Sequence, residues 1–356
     1  MNSSSLAFLH RLLDAPGPSG FETVPAKVWR DEATRLADTV SADVAGNSIA
    51  ILNPKGAPRI MFAGHIDEIG LMVSHVDDDG FLSFQTIGGW DSQVLVGQRV
   101  LIASRQGPVP GVIGKKAVHL LKPDEKDKAT KVTDLWIDIG AKNQKDALRR
   151  VRVGDPAVLA QTVVELPNNR LVSRSIDNRI GAFIVLEALR RLRRPASKAA
   201  VHAVATTQEE IGWLGGGGAR TSATGLEPAV AIVVDVTHAT DHPGLEKKDV
   251  GDVRLGSGPV LSRGSVINPV VFDLLVETAE REKIPYQIQA APRDTGTDAD
   301  AIAGSYRGVA TGLVSVPNRY MHSPNEMVDV GDLDRAARLL AAFARRVTPK
   351  LDFTPK

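Results

Sequence analysis

The sequence predicts an α/β protein: a mixed, largely parallel sheet covered by helices, with a small β-barrel inserted into it. Three observations carry this. Beyond residue 163, apolar strand-like runs alternate with amphipathic helical ones, the pattern of a largely parallel sheet covered on both faces. The run "EPAVAIVVDVTHA" (227–239) is nearly continuous in apolar residues, as a strand buried on both sides must be. Between about 77 and 163 the texture changes to short alternating runs split by Gly, Pro and Asp, such as "DGFLSFQTIGGWDSQVLVGQRVLIASRQGPVPGVIGKK", the mark of an all-β unit. The expected division is therefore 1–75 plus 164–356 for the α/β part and 76–163 for the insert.

In chain order, "SSSLAFLHRLLDAPGPSG" reads as an amphipathic helix with Leu6, Leu12 and Leu13 among its apolar positions, stopped by Pro-Gly-Pro. A second helix, "ETVPAKVWRDEATRLAD", and short strands at "TVSADVAGNSIAILN" and "RIMFAGHIDEIGLMVSHV" follow. After the β insert, with its charged stretch "KPDEKDKATKVTD" read as a loop, "IDNRIGAFIVLEALRRLRR" is a helix whose basic end suits the helix dipole. "KAAVHAVATTQ" is a strand, "NPVVFDLLVETAEREK" a helix, "PYQIQAAP" a strand and "TDADAIAGSY" a short helix. "GVATGLVSVPN" is the last strand and "VGDLDRAARLLAAFARRV" the last helix.

Composition narrows the function classes. With 43% hydrophobic and 24% charged residues over 356 positions, the chain is globular and long enough for a large core or two domains. A formal net charge of +1 suggests neither a nucleic-acid nor an anionic-membrane partner. The absence of cysteine excludes disulfides, thiolate metal sites and a Cys nucleophile. No run approaches the roughly 18 apolar residues of a membrane span, and the N-terminus lacks the apolar core of a secretion signal. The expected location is the cytoplasm.

The chemistry gathers where such a sheet places it, beyond the carboxyl ends of the strands. "IMFAG" leads to His65 and Asp67, "AVHAVATTQ" to Glu209 and Glu210, "AIVVD" to Asp235, and "GLVSVPNRYM" to His322, while Asp177 opens a helix. Each has a bland reading: Asp177 as a helix N-cap, Asp235 as a loop acceptor, His322 as a surface histidine, His65 and Asp67 as a simple pair. Together the bland readings require many carboxylates to converge without countercharge, which is costly. One or two divalent ions remove that conflict, and His and carboxylate suit zinc or cobalt. Asp67 can then orient the far ring nitrogen of His65. Adjacent glutamates point apart, so one can ligate while the other takes a proton from a water acidified by the metal. His238 and His242, near Asp235, read as loop histidines.

"AGHIDEIGLMV", "SIDNRIGAFIVLEAL", "TTQEEIGWLGG", "VVDVTHATDHPG", "TGTDADAI" and "NRYMHSPNEMV" resemble, in order and over nearly the whole chain, the M42 family of dinuclear metallo-aminopeptidases, some members of which carry endoglucanase-type names. The resemblance implies a zinc-exopeptidase-like fold with a PDZ-like dimerisation domain at about 76–163. It implies two ions per chain: Asp177 bridging, His65 and Asp235 completing one site, Glu210 and His322 the other. Glu209 becomes the general base and Asp67 the partner of His65. Thr297 and Asp298, in "DTGTD", fall on the family's substrate-side loop. The run Gly215–Gly218 is longer than this pattern leads one to expect, which touches the loop shape rather than the ligands.

The leading expectation is thus an aminopeptidase acting on peptides with a free N-terminus, assembled as a homo-oligomer from dimers up to a dodecamer. The insert's short strands are expected to bury little core of their own and to serve an interface. Two alternatives are a carboxylate-pair glycosidase, which leaves the histidines without a purpose, and a catalytically silent scaffold, which would be expected to lose a ligand.

Overall fold

The computed structural model describes residues 1–125, 128–193, 197–212 and 216–356. The strands are β1 (Thr39–Ala42), β2 (Ser48–Leu52), β3 (Arg59–His65), β4 (Gly70–Val76), β5 (Leu82–Ile87), β6 (Arg99–Ser104), β7 (Gly107–Lys115), β8 (Leu135–Asp138), β9 (Pro156–Leu159), β10 (Val164–Leu166), β11 (Arg170–Ser173), β12 (Ala200–Thr206), β13 (Val230–His238), β14 (Val260–Gly264), β15 (Gln287–Ala291), β16 (Ala310–Asn318) and β17 (Glu326–Asp329). The helices are α1 (Ser3–Asp14), α2 (Thr23–Ala33), α3 (Gln144–Leu148), α4 (Ile176–Leu192), α5 (Gly217–Leu226), α6 (Lys247–Val250), α7 (Pro269–Arg281), α8 (Asp298–Ala303) and α9 (Val330–Arg346).

An eight-stranded sheet, ordered β1-β2-β12-β3-β13-β16-β14-β15, forms the platform. Its centre is parallel: β12 on β3, β3 on β13, β13 on β16. Antiparallel pairs lie toward both edges, so the sheet is mixed and largely parallel at its core. The central strands β12 and β13 are buried except for the last two residues of β13, as their near-continuous apolar sequences require. Helix α4 packs on β3, β12 and β13 and against α9, and almost every residue of its length is buried. That explains why its sequence lacks a clean polar stripe.

Strands β4–β9 close into a barrel in the order β4-β5-β8-β7-β6-β9. Two expectations change here. The barrel starts at Gly70, earlier than the texture of the sequence suggests, because β4 pairs with β5 and β9 although its residues read like a continuation of the preceding strand. The barrel also buries its own apolar cluster, including Leu71, Leu82, Val100, Ile113 and Ile137. Short strands do build a core when the sheet closes and every inward position faces the others. The stretch read as a charged loop holds short 3-10 turns at Pro123–Glu125 and Val132–Asp134, and its residues 126 and 127 lie outside the described residues.

Strands β10, β11 and β17 form a small antiparallel sheet that matters for the site. The register Ser173↔Glu326 brings Glu326 beside the start of α4. No helix among the described residues is long and apolar enough to cross a membrane.

Candidate metal centre

Every strand-end residue singled out from the sequence arrives at one place. His65 is the last residue of β3, and Thr206, the last of β12, is its parallel neighbour. Glu209 and Glu210 follow three and four residues later. Asp235 sits inside β13 rather than at its end, a correction: β13 continues to His238 along β16, while its pairing with β3 stops at Val233. Asp235 thus lies two residues beyond the last position paired with β3, level with the end of that strand at His65. His322 lies in the turn between β16 and β17. Asp177 stands in the first turn of α4 with extended rather than helical backbone, and Ser175 occupies the cap position, so the N-cap reading of Asp177 does not hold.

The side chains fall into two groups, His65–Asp177–Asp235 and Asp177–Glu210–His322, each with one donor atom per residue within 4.8 Å of the others. Asp177 belongs to both. Its Oδ1 lies 3.1 Å from His65 Nε2 and its Oδ2 3.4 Å from His322 Nε2. His65 Nε2 is also 3.8 Å from Asp235 Oδ1, and His322 Nε2 is 3.2 Å from Glu210 Oε2. Glu209 belongs to neither group. It reaches 3.8 Å from His65 Nε2, and with 17% of its side chain exposed it faces the cavity.

The electrostatics are unbalanced. Burial, then Asp235, Asp298 and Glu210, push the Glu209 carboxyl well above its ordinary range, although His65 opposes this. Burial and Asp177 push Glu210 to about 7. Asp235 is raised well above the usual value by burial and by Asp177. Bonds to Asp177 and Glu210 lift His322 to about 11. Burial opposes a charge on Asp177, yet the two histidines hold its pKa below the ordinary carboxylate value. Carboxylates with only two imidazoles between them keep protons for want of positive charge.

The donor set fits a divalent ion on two counts. It is made of imidazole and carboxylate, the ligands that zinc and cobalt accept. Glu210 Oε1 and His65 Nδ1 are buried with no hydrogen-bond partner, a state that buried polar atoms rarely keep. His65 Nδ1 does lie 3.4 Å from Asp67 Oδ1, a close approach rather than a formed hydrogen bond.

Asp67 is fully buried and held from several sides: by the Ser19 hydroxyl at 2.5 Å and by the amides of Glu210 at 3.1 Å and Glu209 at 3.3 Å. Burial opposes its charge, but His65, Ser19 and the Glu210 amide hold its pKa below the ordinary value. One carboxylate therefore ties His65 to the backbone that carries both glutamates. Three residues around the site have left-handed backbone without being glycine: Ser175 (φ 60°), Gln208 (φ 62°) and His322 (φ 58°). Such conformations cost of order 1–3 kcal/mol each and persist where surrounding structure imposes them. The glycines after the Glu-Glu pair allow close approach, as a Cβ on Gly217 would lie 2.9 Å from the Thr207 and Gln208 carbonyls and one on Gly218 2.0 Å from Asn47 Oδ1. Gly215 lies outside the described residues.

Three contributors were not singled out from the sequence. Glu326 is buried and accepts from the Asp177 amide and the His322 amide, both at 2.9 Å, so it clamps the backbone of one residue from each group. Ser19 supports Asp67 through its hydroxyl. Arg179, fully buried, bonds the carbonyls of Leu12, Leu13, Ala15 and Gly17 and the carboxylate of Glu68, and so fixes the segment that presents Ser19. Only Glu326 left a trace in the sequence, four residues after His322.

A cavity of ≈ 680 Å³ opens onto the cluster, lined also by Thr295, Thr297, Asp298, Asp300 and Met321. Thr297 caps α8 through the Ala299 amide. His238 ends β13 and lines the cavity, whereas His242 packs on Tyr320 and approaches the Pro243 carbonyl. Neither belongs to a ligand group.

Comparison with known proteins identifies the family. The family model described as M42 glutamyl aminopeptidase matches residues 46–339. A lysyl aminopeptidase of Pyrococcus furiosus is 35% identical over 351 residues, 98% of each chain. The crystal structure of a TET aminopeptidase from a marine sediment archaeon of the Thaumarchaeota superposes with a TM-score of 0.92 at 34% identity, covering 98% of this chain and 97% of the other. The TET1 peptidase of Pyrococcus horikoshii, which can assemble into a tetrahedron or a large octahedral shell, gives 0.85 at 30% identity over 96% of this chain and 100% of its own. With the family model matching residues 46–339 and the relatives covering nearly the whole length, the chain belongs to the M42 glutamyl aminopeptidase family.

Proposed function

We propose that the protein is a dinuclear metal aminopeptidase that removes the first residue from peptides with a free N-terminus. The observation that carries this reading is the pair of donor groups sharing Asp177, with Glu209 beside them and in neither. His65, Asp177 and Asp235 would hold one ion, and Asp177, Glu210 and His322 the other, zinc or cobalt in each case. Bound there, the ions supply Lewis acidity that polarises the scissile carbonyl and acidifies the attacking water. Glu209 accepts the proton of that water and returns it to the departing amine. Asp67 keeps His65 oriented, and Ser19 keeps Asp67. The glycosidase alternative draws no support from this arrangement, because its carboxyls must flank a sugar bond whereas these crowd around two histidines.

Chelation tests the reading. EDTA is expected to abolish hydrolysis of leucine or lysine p-nitroanilide, and zinc or cobalt to restore it, while a cellulosic substrate stays intact throughout. Stability gives a second readout. In the metal-free protein, Glu209, Glu210, Asp235, His65 and His322 all have raised pKa values. They keep protons that the unfolded chain releases above about pH 4.5 for carboxyls and 6.5 for imidazoles. Metal-free stability therefore falls as pH rises from 5 to 8, where Asp177 and Asp67, with lowered values, are ionised in both states and give a constant stabilisation that leaves the slope unchanged. The melting-temperature gap between loaded and chelated protein should widen over that range. Full activity in EDTA, or a gap that narrows, contradicts the proposal.

The β barrel, from β4 at Gly70 to β9 at Leu159, is proposed as the dimerisation domain of a larger closed assembly. Its exposed apolar residues support this: Val96, Val112, Val118 and Leu120 are 39–70% exposed. Light scattering behind size-exclusion chromatography should give a mass several times the 38.0 kDa of one chain. A mass near 38.0 kDa at micromolar concentration with metal present counts against any assembly, and a dimer against the closed shell.

A further inference from the structure

We propose that Asp298 is the acceptor for the substrate's α-ammonium group, the side chain that makes the site demand a free amino terminus. The inference rests on the aminopeptidase reading above and assigns the one role in it that the metal groups and Glu209 leave open. Asp298 opens α8 and lines the cavity over the cluster. It is 2% exposed. Its Oδ2 accepts from the Thr206 hydroxyl at 2.5 Å, and Thr206 is the strand neighbour of His65, so the carboxylate is fixed at the edge of the ligand groups. Its Oδ1 is buried with no hydrogen-bond partner, and Asp298 is in neither ligand group.

A buried carboxylate with a free oxygen needs a partner, and charge says which kind. Two divalent ions would balance Asp177, Glu209, Glu210 and Asp235 with the histidines neutral, while a further buried carboxylate at the cluster, Asp67, already accepts from the Ser19 hydroxyl and the Glu209 and Glu210 amides. Asp298 then remains as uncompensated negative charge. Among the described residues lining the cavity there is no lysine or arginine to pair with it. Leaving a buried charge unpaired is strongly unfavourable, so the missing cation has to arrive with the ligand. The one cation that every substrate of an aminopeptidase carries is its α-ammonium, which offers three donors from a compact point charge. An N-acylated or internal peptide bond brings no charge, leaves Oδ1 unpaired and is rejected for that reason, the same logic by which sites with buried polar groups exclude ligands that lack the matching partner.

The test compares two inhibitors on the metal-loaded protein by titration calorimetry: leucine hydroxamate and its des-amino analogue, 4-methylpentanoic hydroxamate. Both carry the same metal-binding group and side chain, so only the amine differs. Wild type should bind the aminated compound at least about a hundredfold more tightly, the scale on which losing one partner of a buried charge pair falls. Asp298→Asn, equal in shape and without the charge, should lose that preference while binding the des-amino compound within about twofold of wild type and retaining its full metal content. A general structural defect would instead weaken both compounds alike. Equal loss for both, an undiminished preference in the variant, or loss of metal overturns the assignment; the last would make Asp298 a ligand or a support for one. Should Asp298→Asn fail to fold, Asp298→Ser, which suits a helix start, carries the same expectation, and equal affinity of wild type for the two compounds overturns the proposal without any variant. If wild type discriminates between the hydroxamates yet cleaves no aminoacyl anilide, the catalytic reading fails while ammonium recognition stands.

Discussion

Replacing Glu209 by Gln is expected to lower kcat on an aminoacyl anilide by about a thousandfold while leaving KM and metal content near their wild-type values. General-base catalysis by a positioned carboxylate is worth roughly 10²–10⁴ in rate. An amide of the same shape cannot take the proton. The expectation of intact metal follows from position: Glu209 is 3.8 Å from His65 Nε2 but contributes to neither donor group, and its backbone stays tied to Asp67 through the amide. The neighbouring substitution is the control. Glu210→Gln removes a charged donor from the group it shares with Asp177 and His322, so it should lower metal occupancy as well as turnover. Steady-state kinetics with elemental analysis on both variants separate the roles. Metal loss from Glu209→Gln with full loading of Glu210→Gln would mean that the two residues have exchanged functions. A loss confined to KM would mean that Glu209 binds substrate without moving a proton.

Much of this centre was legible because the fold converts order into position. In a largely parallel sheet every strand delivers its next residues to the same edge, so His65, the Glu209–Glu210 pair and His322 could be collected from the positions just beyond each apolar run. Asp235 was collected the same way although its strand runs on to His238 along β16, since the pairing of β13 with β3 stops two residues before it. What stayed hidden is the support. Glu326 reaches the Asp177 amide across 149 residues of chain, and Ser19 reaches Asp67 across 48. One bonds a backbone amide and the other a buried carboxylate, and no periodicity or spacing encodes a bond between segments so far apart in the chain. The left-handed backbone at Ser175, Gln208 and His322 was equally invisible, because none is a glycine and each is imposed by tertiary contacts. The barrel boundary slipped for a related reason: β4 is apolar in the same way as β3, and which sheet a strand joins is decided by partners that local sequence does not name.

Asp177→Ala is expected to strip both ions, and more completely than any other single change in the cluster. The two oxygens of Asp177 face different groups, Oδ1 toward His65 and Oδ2 toward His322, so its loss removes a donor from each. Asp235→Ala removes a donor from one group alone and should leave the Glu210–His322 group loaded. After dialysis against a limiting chelator, Asp177→Ala should hold almost no metal and Asp235→Ala about one ion per chain, with affinity at both positions of Asp177→Ala down at least a hundredfold, beyond the 10–100-fold typical of losing a residue that merely supports a ligand. The fold should survive the change. The Asp177 amide, not its carboxylate, is what Glu326 holds, and an alanine retains that amide. Removing the carboxylate takes away a negative neighbour that helps raise the pKa values of Glu210, Asp235 and Glu326, but also the partner that both histidines hold ionised; the two effects oppose, so the metal-free variant should melt close to chelated wild type at pH 8. A protein that melts normally and is empty at both positions is what a shared ligand predicts. If Asp177→Ala keeps two ions per chain, the groups are not joined through Asp177. If it keeps one, its carboxylate serves a single ion and the centre is two separate sites side by side.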